Sequence, residues 1–293
     1  MPRARLMLLF AVVIWGWTFV ATKICLLYLR PIEVMGLRFL IALPVLLALI
    51  AVKRVRLEFR GYNGRVALGS VIVAVHFYLQ ITALKYTSAT NTGWIIAVTP
   101  LVLALLAFVL LRERIRREAV IGIAVATLGI VLLISGGRLH ELGWLTSVGD
   151  WLVLVTAHTW ALYTIAVRDA VRTHSPLAVT FAVLLPATVL AVGVMAFTSD
   201  WRGIAGLPAN AIVALLFLGV LGTAMAHWFW QEGVARVGAA EAGLFLFLEP
   251  LATTGLAVPY LGETFGPVKA VGGLMVLLAV WYAQQYRRDR SKP

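Results

Sequence analysis

Glu249 is the residue whose placement asks most of its surroundings. It falls near the middle of an apolar run over residues 240–259, where a carboxylate is costly unless it faces protein or water. Glu241, Phe245, Glu249 and Thr253 recur every four residues and therefore share one helical face. On such a face a carboxylate can receive an ammonium group or a proton. Equally, a neutral Glu249 can bond backbone carbonyls freed by Pro250, which is a purely structural role. Pro250 and an earlier counterpart, Pro100 of the Thr99-Pro100 pair, each remove a helical hydrogen bond near the centre of an apolar run. Each is read as a hinge or as a fixed bend.

Arg38 lies well inside the run 32–52, where it can snorkel outward, pair with Glu33, or attract a carboxylate. Lys23, at the end of the first run, poses the same choice. Rings are the other resource, with ten Trp, eight Tyr and thirteen Phe. Trp144, Trp151, Trp201 and Trp281 are placed for interfacial belts. Deeper in, Thr156, Trp160, Tyr163 and Thr164 follow helical spacing on one face. Trp17, Arg38, Tyr78, Gln80, Trp94, Thr99, Trp160, Tyr163, Trp228 and Glu249 together make the candidate substrate-binding set, with Pro100 and Pro250 as candidate hinges. Rings with a few donors suit an apolar or aromatic solute, through stacking and cation–π contact with an ammonium. For any single ring, helix packing is the competing explanation. The histidines His76, His140, His158, His174 and His227 show no metal-ligand spacing, and one cysteine, Cys25, gives neither disulfide nor cluster. Buried, satisfied rings are the expectation for His76, His158 and His227, with a proton relay as the other option. Neither a metal nor a cofactor is expected, and no glycine-rich phosphate loop is present.

The elements that must hold these residues are membrane-spanning. The 293 residues are 61% hydrophobic and 13% charged, with mean hydropathy +0.94, outside the range of soluble domains. Runs of helix-spanning length recur at 6–24, 32–52, 66–84, 91–111, 119–135, 148–167, 176–197, 208–231, 240–259 and 269–286. The first of them is read as a retained helix and not as a signal peptide. The net charge of +12 sits between the runs, as an orientation signal and not as a nucleic-acid stripe. With the N-terminus inside, 18 of the 25 Lys and Arg fall on the inner side and six on the outer. The expectation is an all-α membrane protein of ten transmembrane helices, both termini cytoplasmic.

Shifted on itself by 150 residues, the chain aligns Ala89, Gly93, Pro100 and Glu113 with Ala239, Gly243, Pro250 and Glu263. Under that shift Tyr78 meets Trp228, while small gaps pair Trp17 with Trp160 and Pro31 with Pro176. Five helices repeated, an odd number, give a second copy of opposite orientation. The two inverted repeats are taken as residues 1–138 and 139–293. Gly122, Gly129, Gly272 and Gly273 read as sites of close helix packing, which permits a dimer without requiring one.

Lys23, the segment Pro31 to Arg38-Phe39-Leu40, Thr99-Pro100 leading to Glu113-Arg114, and Glu249-Pro250 leading to Leu261-Gly262-Glu263 resemble the drug/metabolite transporter superfamily, EamA-type branch. Among its members the chain is most similar to YddG-like aromatic amino acid exporters. The resemblance covers essentially the whole chain. It implies an inner-membrane exporter with a central cavity between inverted repeats, taking amino acids or related small metabolites. An exporter of aromatic cations is the alternative. A channel lacks its charge ring or filter, and an intramembrane enzyme lacks clustered catalytic groups.

Overall fold

The computed structural model describes residues 2–57, 64–111, 117–139, 147–237, 242–243 and 245–288. The elements are α1 (Pro2–Cys25), α2 (Pro31–Val52), α3 (Gly64–Ala83), α4 (Ala89–Ile96), α5 (Thr99–Leu111), α6 (Arg117–Ser135), α7 (Val148–Thr173), α8 (Pro176–Thr198), the short α9 (Trp201–Ala205) and α10 (Ala209–Leu216). A π-helical segment (Phe217–Met225) leads into α11 (Ala226–Val237), followed by α12 (Leu248–Leu261) and α13 (Pro267–Arg288). The described residues contain no strand. Backbone polar groups satisfied within each helix are what a hydrocarbon environment demands.

Among the described residues, seven stretches are long and apolar enough to cross a membrane: Arg3–Cys25, Pro31–Val52, Gly64–Ala83, Ala89–Leu110, Val148–Thr173, Pro176–Thr198 and Ala209–Val237. The expected runs 119–135 and 269–286 contain shorter apolar helices, Val120–Ser135 and Pro267–Ala279. The run 240–259 holds α12 and part of the segment before it. Large apolar side chains such as Leu128, Val189, Phe197 and Val213 stay exposed around the bundle, as lipid-facing residues do.

Helix α6 packs on α13, α3 on α7 and α8, α1 on α11 and α12, α2 on α8 and the π segment, and α4 on α7 and α12. Between apolar helices in lipid, close approach is driven by packing, so small residues mark the contacts. At the α6–α13 crossing a Cβ on Gly129 would lie 2.6 Å from the Gly272 carbonyl oxygen, and one on Gly272 would lie 2.7 Å from that of Gly129. Gly129→Ala must push these helices apart, at a cost of about 1–3 kcal/mol. The expected result is a lower melting temperature of the purified protein in detergent, and an unchanged melt would show that the crossing has slack.

Two spans are broken near their centres. Residues Ala97 and Val98 separate α4 from α5, and Leu246 and Phe247 form a turn before α12. Pro100 is the second residue of α5 and Pro250 the third of α12. In the first turn a proline removes no intrahelical bond, because those N–H groups have no partner in any helix. The expected kinks in continuous helices are therefore helix starts. The chain reverses nothing here; it stops one helix and begins another inside the bundle.

Candidate functional site

The cavity lies between these breaks. It holds about 480 Å³ of space between protein atoms, part of it open, and is narrowed by Trp15 and Trp160, whose rings meet edge to face at 5.4 Å. Phe77 and the two imidazoles of His76 and His227 complete the aromatic wall. Trp15 lies 5.2 Å from His227, and Trp160 lies 5.1 Å from His76. Thr18 and Phe19 of α1, Gln80 of α3, and Ile96, Thr99 and Leu246 at the helix breaks fill the remaining wall.

Two ionisable side chains of opposite type, Arg38 and Glu249, sit on this wall. Arg38 is 2% exposed; its Nε donates to Thr223 Oγ1 at 2.9 Å and its guanidinium lies 4.6 Å over the Phe77 ring. Among the described residues no carboxylate pairs with it. Glu33, its expected partner, is taken by Arg30, whose backbone N–H donates at 2.7 Å and whose Nε and Nη2 donate at 3.0 and 2.7 Å. Snorkelling is excluded by burial. Glu249 is 7% exposed in the first turn of α12, and among the described residues nothing donates to its carboxylate. Its carbonyl accepts from Thr253 Oγ1 at 2.8 Å, a bond independent of the side chain. Glu241, expected on the same face, lies outside the described residues.

Of the candidate set, Arg38, Gln80, Thr99, Trp160 and Glu249 line the cavity. Tyr163 stands behind the wall, 5.3 Å from Trp160, and its hydroxyl accepts from Gln231 Nε2 at 3.3 Å. Trp17 and Tyr78 do not line the cavity: they are 40% and 44% exposed, on the outer faces of their helices. Two positions earlier on the helix is about 200° away, so Trp15 and His76 take the inward places. Trp94 is committed elsewhere, stacked on Phe265 at 5.1 Å and donating to Thr254 Oγ1 at 2.9 Å. Trp228 faces a second cavity, with Lys53 4.8 Å over its ring.

The π segment lies where the alignment of the chain on itself changes by one residue. Leu68-Gly69 corresponds to Leu218-Gly219 at a shift of 150, whereas His76-Phe77-Tyr78-Leu79-Gln80 corresponds to His227-Trp228-Phe229-Trp230-Gln231 at 151. One extra residue enters between them, within Phe217–Met225, where the wider π turn accommodates it. The same turn lets Thr223 Oγ1 reach back to the Leu218 carbonyl at 2.8 Å while receiving Arg38. It also leaves the Gly222 carbonyl facing Trp15 Nε1 at 3.2 Å and His227 Nδ1 at 3.2 Å. Among the described residues His227 Nε2 has no partner, against the expectation of a satisfied ring. His76 is satisfied, its Nδ1 lying 2.9 Å from Thr159 Oγ1 and 3.1 Å from the Thr156 carbonyl. Trp15 and Trp160 are 145 residues apart, as are Pro31 and Pro176.

A second buried polar cluster went unnoticed in the sequence. Asp150, 3% exposed, accepts from Thr87 Oγ1, from Ser147 Oγ at 2.7 Å and from Asn91 Nδ2 at 3.3 Å. Lys269 Nζ donates to Asn91 Oδ1 at 3.0 Å. Gly262 ends α12 in the left-handed region (φ 65°), which glycine adopts without strain, and the turn delivers Glu263 to the start of α4. There its carboxylate accepts from the free N–H groups of Ala89 and Thr90 at 2.7 and 2.8 Å. Lys23 lies within electrostatic reach of Glu263 and does not line the cavity. Glu113, aligned with Glu263 by the 150-residue shift, lies outside the described residues, as do Arg114, Trp144 and His140.

Long apolar helices around a cavity that carries buried charge describe a multi-pass membrane protein of the transporter class. The chain belongs to the EamA-like transporter family, which matches it over residues 3–135 and again over 147–283. It is 27% identical over 280 residues to the uncharacterized transporter YyaM of Bacillus subtilis, covering 94% of this chain and 91% of that protein. A Salmonella typhimurium relative named a probable amino-acid metabolite efflux pump is 25% identical over 287 residues, 93% of this chain and 92% of that one. A relative from Streptantibioticus cattleyicolor, named a probable terminal-alkyne amino-acid exporter, is 27% identical over 213 residues, 71% and 69% of the two chains. A crystal structure 20% identical in sequence superimposes with a TM-score of 0.72 over 99% of both chains, which shows a shared fold.

Proposed function

We propose that the protein exports amino acids, aromatic or otherwise apolar, across the inner membrane by alternating access between two inverted five-helix halves. The observation that carries this reading is the pair of buried, mutually unpaired charges, Arg38 and Glu249, on the wall of one ring-lined cavity. Each charge is costly alone in a low-dielectric interior, and a zwitterion answers both at once. Its carboxylate meets the guanidinium, its ammonium meets Glu249, and its side chain lies among Trp15, Phe77 and Trp160. The names of the Salmonella and Streptantibioticus relatives point the same way. The alternative solute, an aromatic cation, would have to enter beside the Arg38 charge, which disfavours it.

The halves are residues 1–138 and 139–293, with both termini in the cytoplasm. Support for the inversion comes from the packing: exchanging α1–α6 with α7–α13 turns the α3–α7 contact into α11–α1, and α1–α12 into α7–α5. The α6–α13 and α2–α8 contacts map onto themselves. The two separate family matches fit the same division. In this reading the energy comes from a gradient or from the solute's own concentration difference. Purified protein in liposomes should take up labelled Trp and Phe faster than Thr, an acidic amino acid or an aromatic cation. Flux of the cation alone would replace this reading with multidrug export.

A further inference from the structure

A second cavity, about 430 Å³ of space between protein atoms and partly open to solvent, lies at the end of the bundle where α1 and α8 begin and α2 and α11 end. Arg3 of α1, Lys53 just past α2 and Arg236 of α11 reach it, and among the described residues Glu232 is the only carboxylate on its wall. Arg236 pairs with Glu232 one helical turn away, and Lys53 rests on the Trp228 ring. Three cations against one carboxylate leave the wall two positive charges in excess.

The matching helix start in the first half shows what this arrangement lacks. At the beginning of α2, Glu33 brings its own carboxylate to the Arg30 N–H and guanidinium. At the beginning of α8, the residue three positions after Ser175 is Ala178, and the Ser175 side chain makes no cap bond. One helix start carries a built-in anion, whereas the other is ringed by cations from its neighbours. Met7 and Val55 add an apolar side to the wall.

We infer that this cavity binds a phosphate group, carried by an anionic phospholipid head or by inorganic phosphate. A phosphate offers several acceptor oxygens to the Arg forks, the Lys ammonium and the Ser175 hydroxyl together. Basic pockets between membrane helices on the cytoplasmic side take such head groups, and the apolar side of the wall provides for an acyl chain. Trp228 serves as the platform that holds Lys53 over the site.

The test is lipid titration of the full-length protein in neutral detergent, read as melting temperature at constant ionic strength. The probes are dioleoyl phosphatidylglycerol, dioleoyl phosphatidylcholine and inorganic phosphate. Phosphatidylglycerol should stabilise the wild type while phosphatidylcholine does not. The midpoint should move about 25-fold higher in an Arg3→Gln/Lys53→Gln variant, about fivefold for each cation lost. Lys53→Arg, which keeps the charge, should titrate like the wild type and controls for folding. Saturation by inorganic phosphate that blocks the lipid response would identify soluble phosphate as the source. Equal responses to the two lipids with phosphate inert, or wild-type titration by the double variant, would overturn the inference.

Discussion

Glu249→Gln is expected to lower kcat/KM for amino acid uptake by about 30-fold or more while leaving the protein folded. Removing one member of a buried charge pair costs at least about 2 kcal/mol, which is that factor. The amide occupies the same volume, and among the described residues nothing bonds the carboxylate that would be lost. The Thr253 bond to the Glu249 carbonyl is untouched, so the start of α12 keeps its local structure. Replacing an unpaired buried carboxylate by a neutral group should even raise the melting temperature. A folded variant that transports at the wild-type rate would return Glu249 to a structural role. A solute without the ammonium, such as indolepropionate, gives a sharper readout. It should discriminate little between wild type and variant, or favour the variant.

Arg38→Met is expected to produce the opposite selectivity. Methionine replaces the guanidinium with a flexible apolar chain, suited to contact with Phe77, and removes the unpaired charge from a site that is 2% exposed. Uptake of Trp should fall by about 30-fold or more, because the substrate carboxylate then enters the cavity without a counter-charge. Tryptamine, which lacks that carboxylate, should be transported as well as before or better. Arg38→Lys keeps the charge but not the planar fork that reaches Thr223, and should recover only part of the loss. Equal losses for Trp and tryptamine in Arg38→Met would mean that Arg38 supports the π segment and not the solute. Taken with Glu249→Gln, the two variants and three solutes distinguish a zwitterion site from either charge acting alone.

Much of this was legible in the linear chain. Composition and run length settled a multi-pass helical membrane protein, because hydrocarbon leaves few other options for a backbone. Glu249 and Arg38 stood out for the same reason: an ionisable group inside an apolar run is expensive wherever the run goes. Thr99 and Pro100, and Glu249 and Pro250, marked the middles of two spans. Their meaning changed from bend to beginning only when the preceding turns, 97–98 and 246–247, were placed.

What the sequence determined by itself was thus which ionisable residues fall inside apolar, membrane-spanning runs. Which rings face the cavity was decided by the tertiary structure. Trp15 and Trp17 are equally good indoles, and a helical rotation of about 200° separates lining from lipid. Neighbouring helices fix that rotation, through contacts such as Gly222 against Thr18 and Gly16 against the start of α12. The π turn that brings Thr223 to Arg38 likewise leaves no mark in composition or period. Polarity within a span is a property of each residue, whereas facing is a property of the whole bundle.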